Sequence, residues 1–267
     1  MITNAMKSHR ILAILIRHLY LYQRSVPRLM DIFFWPVTEL LVWGFLSRYL
    51  ESSGLGGVNV VTILLGALIF WDLLSQSQRA VSVVFLEEVW ERNLLNIFVT
   101  PLKISEFLVS TVLIGLVRIV LVGITIAILA FVLYKFNIFI FGFSLIPFVL
   151  SLLLFGWAIG LFATGIILRF GSSAQVLAFG LTFLLQPFSA VFYPVSALPE
   201  WARYIAYFIP STYVFEGMRG IINTGVFSWQ SLGLAVVTNA AFIALVLWFF
   251  YKMFANVKEQ GRLMKLD

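Results

Sequence analysis

This sequence has few charged residues and no cysteine. Only 11% of its 267 residues are charged, whereas about 25% is usual in a soluble domain, so there is too little charge to cover a water-facing surface. The chain has no cysteine, which excludes disulfide bonds, thiol nucleophiles and cysteine-ligated metal centres. Because 61% of the residues are hydrophobic, the composition is typical of a membrane protein.

Sequence motifs for nucleotide, metal or hydrolytic chemistry are also missing. The chain contains no GxxxxGK[ST] phosphate-binding loop, no HExxH metal motif and no GxSxG nucleophile motif. We therefore expect no catalytic residue, no metal ion and no cofactor on this chain. The energy for a transport function would then come from an ion gradient or from another subunit.

Six stretches are long and apolar enough to cross the roughly 30 Å of membrane hydrocarbon. We predict spans near residues 30–49, 59–82, 105–132, 144–168, 173–193 and 230–252, in one domain that covers residues 1–267. The fold class is therefore an all-α integral membrane protein with six transmembrane helices.

The basic residues predict the orientation of these spans. With the N-terminus inside, the cytoplasmic side receives all 18 Lys and Arg residues except Arg48, Arg118, Lys135, Arg203 and Arg219, as the positive-inside rule requires. Both termini are then cytoplasmic, and the chain is a multi-pass protein of a bacterial or archaeal plasma membrane. The net charge of +6 is explained without a nucleic-acid partner.

Residues from about 7 to 23 combine basic and apolar side chains in a helical pattern. Lys7, Arg10, Arg17 and Arg24 fall within one arc of about 100° when they are plotted at 100° per residue. We predict an amphipathic helix in the cytoplasmic headgroup layer, with its basic stripe toward anionic membrane lipid. The alternative is a basic anchor in front of the first span.

The loop LEEVWERNLLNIFVTPLKISEF between the second and third spans carries an unusual amount of charge. Its apolar residues recur at three- and four-residue spacing until Pro101 ends the pattern. This pattern predicts one short amphipathic cytoplasmic helix over about residues 86–100. Its apolar face either lies on the membrane or docks into a groove on a cytoplasmic partner. The candidate docking residues are Glu87, Glu88, Trp90, Glu91, Arg92, Leu94 and Leu95.

Prolines divide the segment from 186 to 220 into helical pieces of about ten residues, each only about 15 Å long. Broken backbone at membrane depth has to be buried in protein or line a wet cavity. We therefore predict an extracellular re-entrant helical hairpin over about residues 194–222, before the last span. The candidate outer-gate residues are Tyr193, Trp201, Tyr204, Tyr213, Glu216 and Arg219. An interfacial aromatic belt and mutually paired charges are the alternatives.

Three ionisable residues fall inside predicted spans, where charge is costly and marks a paired or functional group. Asp72 and Arg118 have similar predicted depths, so they either form an ion pair or line a polar translocation path together with Glu39. The motif formed by Gly156 and Gly160 permits close helix approach, either inside the chain or between two copies.

These features together resemble the membrane subunits, or permeases, of type-2 ABC exporters. The segments that carry the resemblance are ERNLLNIFVTPLKISEFL and FYPVSALPEWARYIAYFIPSTYVFEGMR. The resemblance implies a coupling helix at about residues 87–100, a connecting helix at residues 7–23 and re-entrant helices at residues 199–220.

The resemblance also implies the partners of the chain. They are a separate ATP-binding subunit that holds ATP and Mg, a second copy of the permease in a homodimer, and membrane lipid. The implied substrate is amphipathic, such as a drug, a lipid or a lipid-linked polysaccharide. An ion-coupled secondary transporter that uses Asp72, Glu39 and Arg118 remains the alternative, and a membrane-embedded enzyme or scaffold is a third.

Overall fold

The structure is a computed structural model that describes residues 7–54 and 60–259, and these residues form α-helices, short 3-10 helices and connecting turns. The α-helices are α1 (Ser8–Gln23), α2 (Val26–Ser52), α3 (Val60–Trp90), α4 (Leu94–Val99), α5 (Ile104–Tyr134), α6 (Leu145–Phe170), α7 (Gln175–Leu185), α8 (Glu200–Phe208), α9 (Pro210–Thr224) and α10 (Trp229–Glu259). Five of them, α2, α3, α5, α6 and α10, are long and apolar enough to span a membrane. The prediction of an all-α integral membrane protein is confirmed.

The predicted span at residues 173–193 is the one that the structure does not form as a long helix. Gly171 adopts a positive φ of 65° after α6, and residues 171–174 form a 3-10 turn before the 11-residue α7 begins. A 3-10 helix with Pro187 inside follows α7, because proline lacks the backbone N–H that would continue the α-helix. The α7 helix is only about 16 Å long, roughly half the thickness of the hydrocarbon.

Helix α3 occupies the centre of the bundle. Every residue from Leu65 to Gln78 is buried, since α3 packs against α2, α5, α6 and α7. Only one stripe of an amphipathic helix is normally buried, and a helix that is buried on all sides belongs to the interior. The polar residues of α3 must therefore find their partners inside the protein.

The motif of Gly156 and Gly160 brings α6 into close contact with α3. A Cβ atom at Gly156 would lie 2.5 Å from the carbonyl oxygen of Leu74, and one at Gly160 would lie 2.7 Å from that of Gln78. Only glycine permits backbones to approach this closely. Of the two predicted alternatives, the structure shows packing within the chain.

The two ends of the bundle are defined by the helices that lie there. Lys7 donates its backbone N–H to Glu106 at the start of α5, and Val257 near the end of α10 shares a cluster with Leu94 of α4. The first and last described helices therefore meet at one end, which we name the α1 end. The other end, which we name the opposite end, contains the last residues of α2 and α5 and the first residues of α3.

Candidate functional site

The segment that joins α3 to α5 is the predicted docking site, and it is a helix–turn–helix rather than one helix. Residues 86–90 are the last turn of α3, and α4 begins only at Leu94. Arg92 between them has a φ of 52°, in the left-handed region that a continuous α-helix does not use. The prediction of one helix over residues 86–100 is thus wrong in its continuity, because the chain reverses at Glu91–Asn93.

The apolar face of this segment lies in the protein's own core. Leu86, Val89, Leu94 and Ile97 are buried in one cluster with Phe107 of α5. These four side chains therefore pack against the protein itself, whereas Trp90 at the turn is exposed. Leu94, a predicted docking residue, is not accessible to a partner here. The side chain of Leu95 lies outside the described residues.

Glu88, another predicted docking residue, is also buried, with 1% of its surface exposed. Arg17 of α1 holds it through both guanidinium nitrogens, and the Nη2 contact to Oε2 measures 3.2 Å. The side-chain amide of Asn93 donates to the same oxygen at 2.8 Å. A carboxylate with these partners fixes the turn to α1, because it holds both sides of the joint.

The other acidic residues of the turn contact the start of α2. Arg28 Nη2 donates to Glu91 Oε1 at 2.6 Å, and Arg28 Nε lies 3.7 Å from Glu87 Oε1. Arg10 of α1 donates to the carbonyl of Pro101. Arg10 and Arg17, which belong to the basic stripe predicted to face anionic lipid, thus also contact polar groups of the protein.

Five residues of the turn and of α4 are exposed, although Glu91 among them also contacts Arg28. Trp90 and Glu91 are exposed at the turn, Asn96 and Thr100 are exposed around α4, and Val99 is 76% exposed. We name these five residues the α4 surface. A cavity of about 330 Å³ adjoins it and is lined mainly by apolar groups of α1 and α4. Trp90 and Val99 are the apolar members of this surface, and exposed apolar groups beside a small cavity are typical of docking sites between proteins.

His18 lies inside the same joint, and its Nε2 is 3.4 Å from Glu88 Oε1. Burial is the largest influence on its titration and lowers the pKa of His18 from 6.5 to about 4. The negative Glu88 opposes this shift, whereas Arg17 and Arg28 add to it. His18 is therefore neutral in the folded protein at neutral pH.

We expect the contact between α1 and the turn to weaken as the pH falls from 6.5 toward 4. The unfolded joint binds a proton on His18 in this window and the folded joint does not, so protonation favours the open state by up to about 3 kcal/mol. The protection factors of the α1 amides, which divide the intrinsic exchange rate at each pH by the observed rate, should be lower at pH 5 than at pH 7.5. The variant His18→Gln should lose part of this dependence, and an unchanged profile in that variant would contradict the assignment.

The three predicted intramembrane residues are close to α3 but do not form the expected ion pair. Asp72 Oδ1 lies 3.7 Å from Nη2 of Arg79, which is two helical turns further along α3. Arg118 instead contacts Tyr22, whose hydroxyl is 3.3 Å from Nη1. Asp72 and Arg118 are thus held by different residues, and Glu39 is partly buried on the neighbouring α2.

The predicted outer-gate residues divide into two groups. Four of them form hydrogen bonds within the proline-divided segment. Glu216 accepts from the backbone N–H of Val195 at 2.7 Å, and Arg219 donates to the carbonyl of Ala190 at 2.6 Å. The hydroxyl groups of Tyr193 and Tyr213 donate to the carbonyls of Pro187 and Tyr207, respectively. Trp201 and Tyr204 are exposed on α8. The paired alternative thus describes Glu216 and Arg219, whose side chains lie 3.1 Å apart, and the aromatic residues remain candidates for a gate or an aromatic belt.

Several residues of the site were not found from the sequence. Arg17 and Arg28 were assigned only as basic residues, because nothing local connects them to carboxylates more than 60 positions away. Arg79 is likewise counted from the sequence only as a cytoplasmic basic residue, and nothing there pairs it with Asp72. Across residues 7–54 and 60–259, no three His, Asp or Glu side chains are grouped in a way that could hold a metal ion.

The chain is similar to a known family of membrane proteins. The chain matches the family model described as ABC-2 type transporter over residues 10–223, a stretch that includes α1, the turn and α4, and the proline-divided segment. No curated protein matches the chain. Because the matched region covers most of its length and contains four of the five helices able to span a membrane, the chain belongs to the ABC-2 type transporter family, as an integral membrane transport subunit.

Proposed function

We propose that the chain is the permease of an ABC exporter, driven by ATP hydrolysis on a separate ATP-binding subunit that docks on the α4 surface. The partner's nucleotide cycle would move the α4 surface, and the spans would rearrange to open a path outward. The observation that carries the proposal is the rigid connection of this surface to the bundle. Arg17 and Arg28 join the turn to α1 and α2. A movement of α4 would therefore be transmitted to α1 and α2 as well as to α3, which precedes the turn.

The proposed orientation places the α1 end in the cytoplasm, with both termini there. The clustering of basic residues at that end supports it. Two copies of the chain are proposed to form the transporter, with the path between them. The proline-divided segment is proposed to re-enter the membrane from the outside, which its short helices α8 and α9 support.

The proposed substrate is amphipathic, such as a drug, a lipid or a lipid-linked polysaccharide. Trp201, Tyr204, Ile205 and Phe208 are exposed along α8 at the i, i+3, i+4 and i+7 spacing of one helical face. Aromatic faces of this kind bind ligands that have both apolar and polar parts. Stimulation of the partner's ATPase activity by such compounds would identify the class.

We expect Val99→Asp to abolish retention of the ATP-binding subunit during purification in detergent. Val99 is 76% exposed on α4, so an aspartate is tolerated in the isolated chain but places a charge in an apolar contact. The measurement is copurification of the ATPase with tagged permease. The matched control is Val226→Asp, at a valine that is 66% exposed and lies at the opposite end; this variant should retain the partner.

Two results would count against this proposal. Equal retention of the ATPase by Val99→Asp and by the control would remove the α4 surface as the docking site. Flux that needs no ATP and follows a pH gradient would favour the ion-coupled alternative. That alternative is less well supported, because Asp72 is 4% exposed and faces Arg79 rather than an open path.

A further inference from the structure

A second cavity lies at the opposite end of the bundle from the α4 surface. Its volume is about 650 Å³, within the range of small-molecule sites. The ends of α2 and α5 and the start of α3 line it. Arg28 and Arg48 stand on one helix at positions 20 residues apart, which is about 30 Å at 1.5 Å per residue. The cavity is therefore at the level of lipid headgroups.

The basic residues at this end are few, and they fall into two pairs. Arg203 and Arg219 are bound to backbone carbonyls of their own segment, Arg203 to Leu198 at 2.7 Å and Arg219 to Ala190 at 2.6 Å. Arg48 and Lys135 come from different helices, 87 positions apart, and both line the cavity. Two cations from distant parts of the chain thus meet at one concave surface.

Both cations are held in place beside the cavity. Arg48 donates from Nη2 to the carbonyl of Leu133 at 2.7 Å, and its guanidinium carbon lies 5.5 Å from the centre of the Tyr134 ring. Lys135 has a φ of 58°, a left-handed conformation that turns the chain directly after α5. Both residues remain exposed, so their remaining donors are accessible to a ligand.

The rest of the lining is suited to an oxygen-rich anion. Ser52, Tyr49 and Thr62 supply hydroxyl groups around the two cations, and Glu51 is the acidic residue of the lining. The cationic charge exceeds the anionic charge by one. Arg and Lys together with hydroxyl donors are the groups that bind phosphate oxygens in proteins.

We propose that this cavity binds the phosphate ester of a lipid headgroup at the membrane surface. Arg48 and Lys135 contact the phosphate oxygens, and the acyl chains lie along the exposed apolar surface of α2 and α5, where Phe45 and Val132 face outward. The site is separate from the α4 surface and does not depend on which partner docks there. A soluble phosphate ester would supply the same oxygens without the apolar contact.

The absence of cysteine allows a local test with a single introduced thiol. Ser52→Cys places a thiol in the lining, and Asn223→Cys places one at an exposed position of α9, outside the lining. The full chain is reconstituted in nanodiscs of phosphate-free galactolipid, with or without phosphatidylglycerol. The rate of thiol modification by a water-soluble maleimide is then measured.

Phosphatidylglycerol is expected to slow modification of Ser52→Cys about fivefold for each cation that contributes, and to leave Asn223→Cys comparatively unaffected. Lys135→Asn should remove much of this protection, since asparagine accepts the left-handed backbone, and Arg48→Gln should do the same. Lys135→Arg should keep it. Lys258→Gln, which removes one charge from the α1 end, should also keep it.

Three outcomes would overturn the proposal. The first is protection that survives the double change Arg48→Gln and Lys135→Asn. The second is equal slowing at Asn223→Cys, which would indicate a general effect of the anionic surface. The third is protection by free glycerol phosphate, in phosphate-free nanodiscs, as strong as that by phosphatidylglycerol, which would assign the site to a soluble ester.

Discussion

Gly156→Ala is expected to lower the melting temperature of the purified chain by about 10 °C or to prevent recovery of a monodisperse protein. The new methyl group would overlap Ser77 and lie 2.5 Å from the carbonyl oxygen of Leu74. A backbone carbonyl in the middle of α3 cannot rotate away, so α6 has to move off α3. Overpacking of this kind costs on the order of 3 kcal/mol.

Gly233→Ala is the matched control for this substitution. Gly233 is in α10, and a Cβ atom there meets nothing within 4 Å. Alanine is favoured over glycine in a helix by up to about 1 kcal/mol, so this variant should melt at the wild-type temperature or slightly above it. Similar melting of the two variants would show that α3 and α6 are not packed as described.

Glu88→Ala is expected to release α1 and the turn from each other and to accelerate hydrogen exchange of α1 about 30-fold. The change leaves Arg17 and Asn93 without their shared carboxylate. A fully buried pair would lose more, but one third of the Arg17 side chain is exposed, so we expect a cost of about 2 kcal/mol. The membrane spans should remain folded.

The same substitution tests the proposed coupling, because a loosened turn should reduce transport more than it reduces partner binding. Glu259→Ala removes one negative charge from an exposed position near the end of α10 and serves as the control. In the background of Arg17→Gln, the added effect of Glu88→Ala should be smaller than in the wild type. Full additivity would mean that the two side chains do not act as a pair.

The helices could be predicted wherever length and apolar composition decide the outcome. Five spans, the N-terminal helix and the two helices separated by Pro210 all follow from local signals. The long helix predicted at residues 173–193 is not observed. Composition could not show this, because an uninterrupted helix and an interrupted one have the same apolar composition. The interruption depends on Gly171 and Pro187. In the prediction, the length of the apolar run counted for more than these two residues.

The docking segment shows a second limit of prediction from sequence. The three- and four-residue spacing from Leu86 to Ile97 correctly identified residues that share a buried environment. It could not reveal the left-handed turn at Arg92 between them, because the last turn of α3 and the short α4 pack on one core and preserve the same spacing. Nor could it show that Glu88 is buried, since its partner Arg17 is 71 positions away.

The central position of α3 bears on how the chain is made. Its interior carries Asp72, Gln76 and Gln78, which are costly to place in lipid alone. The side chain of Gln78 donates to the carbonyl of Ala178 in α7, and α6 supplies the glycines against which α3 rests. Because α6 and α7 are synthesised after α3, we expect α3 to stay beside the protein-conducting channel until they emerge and supply these contacts.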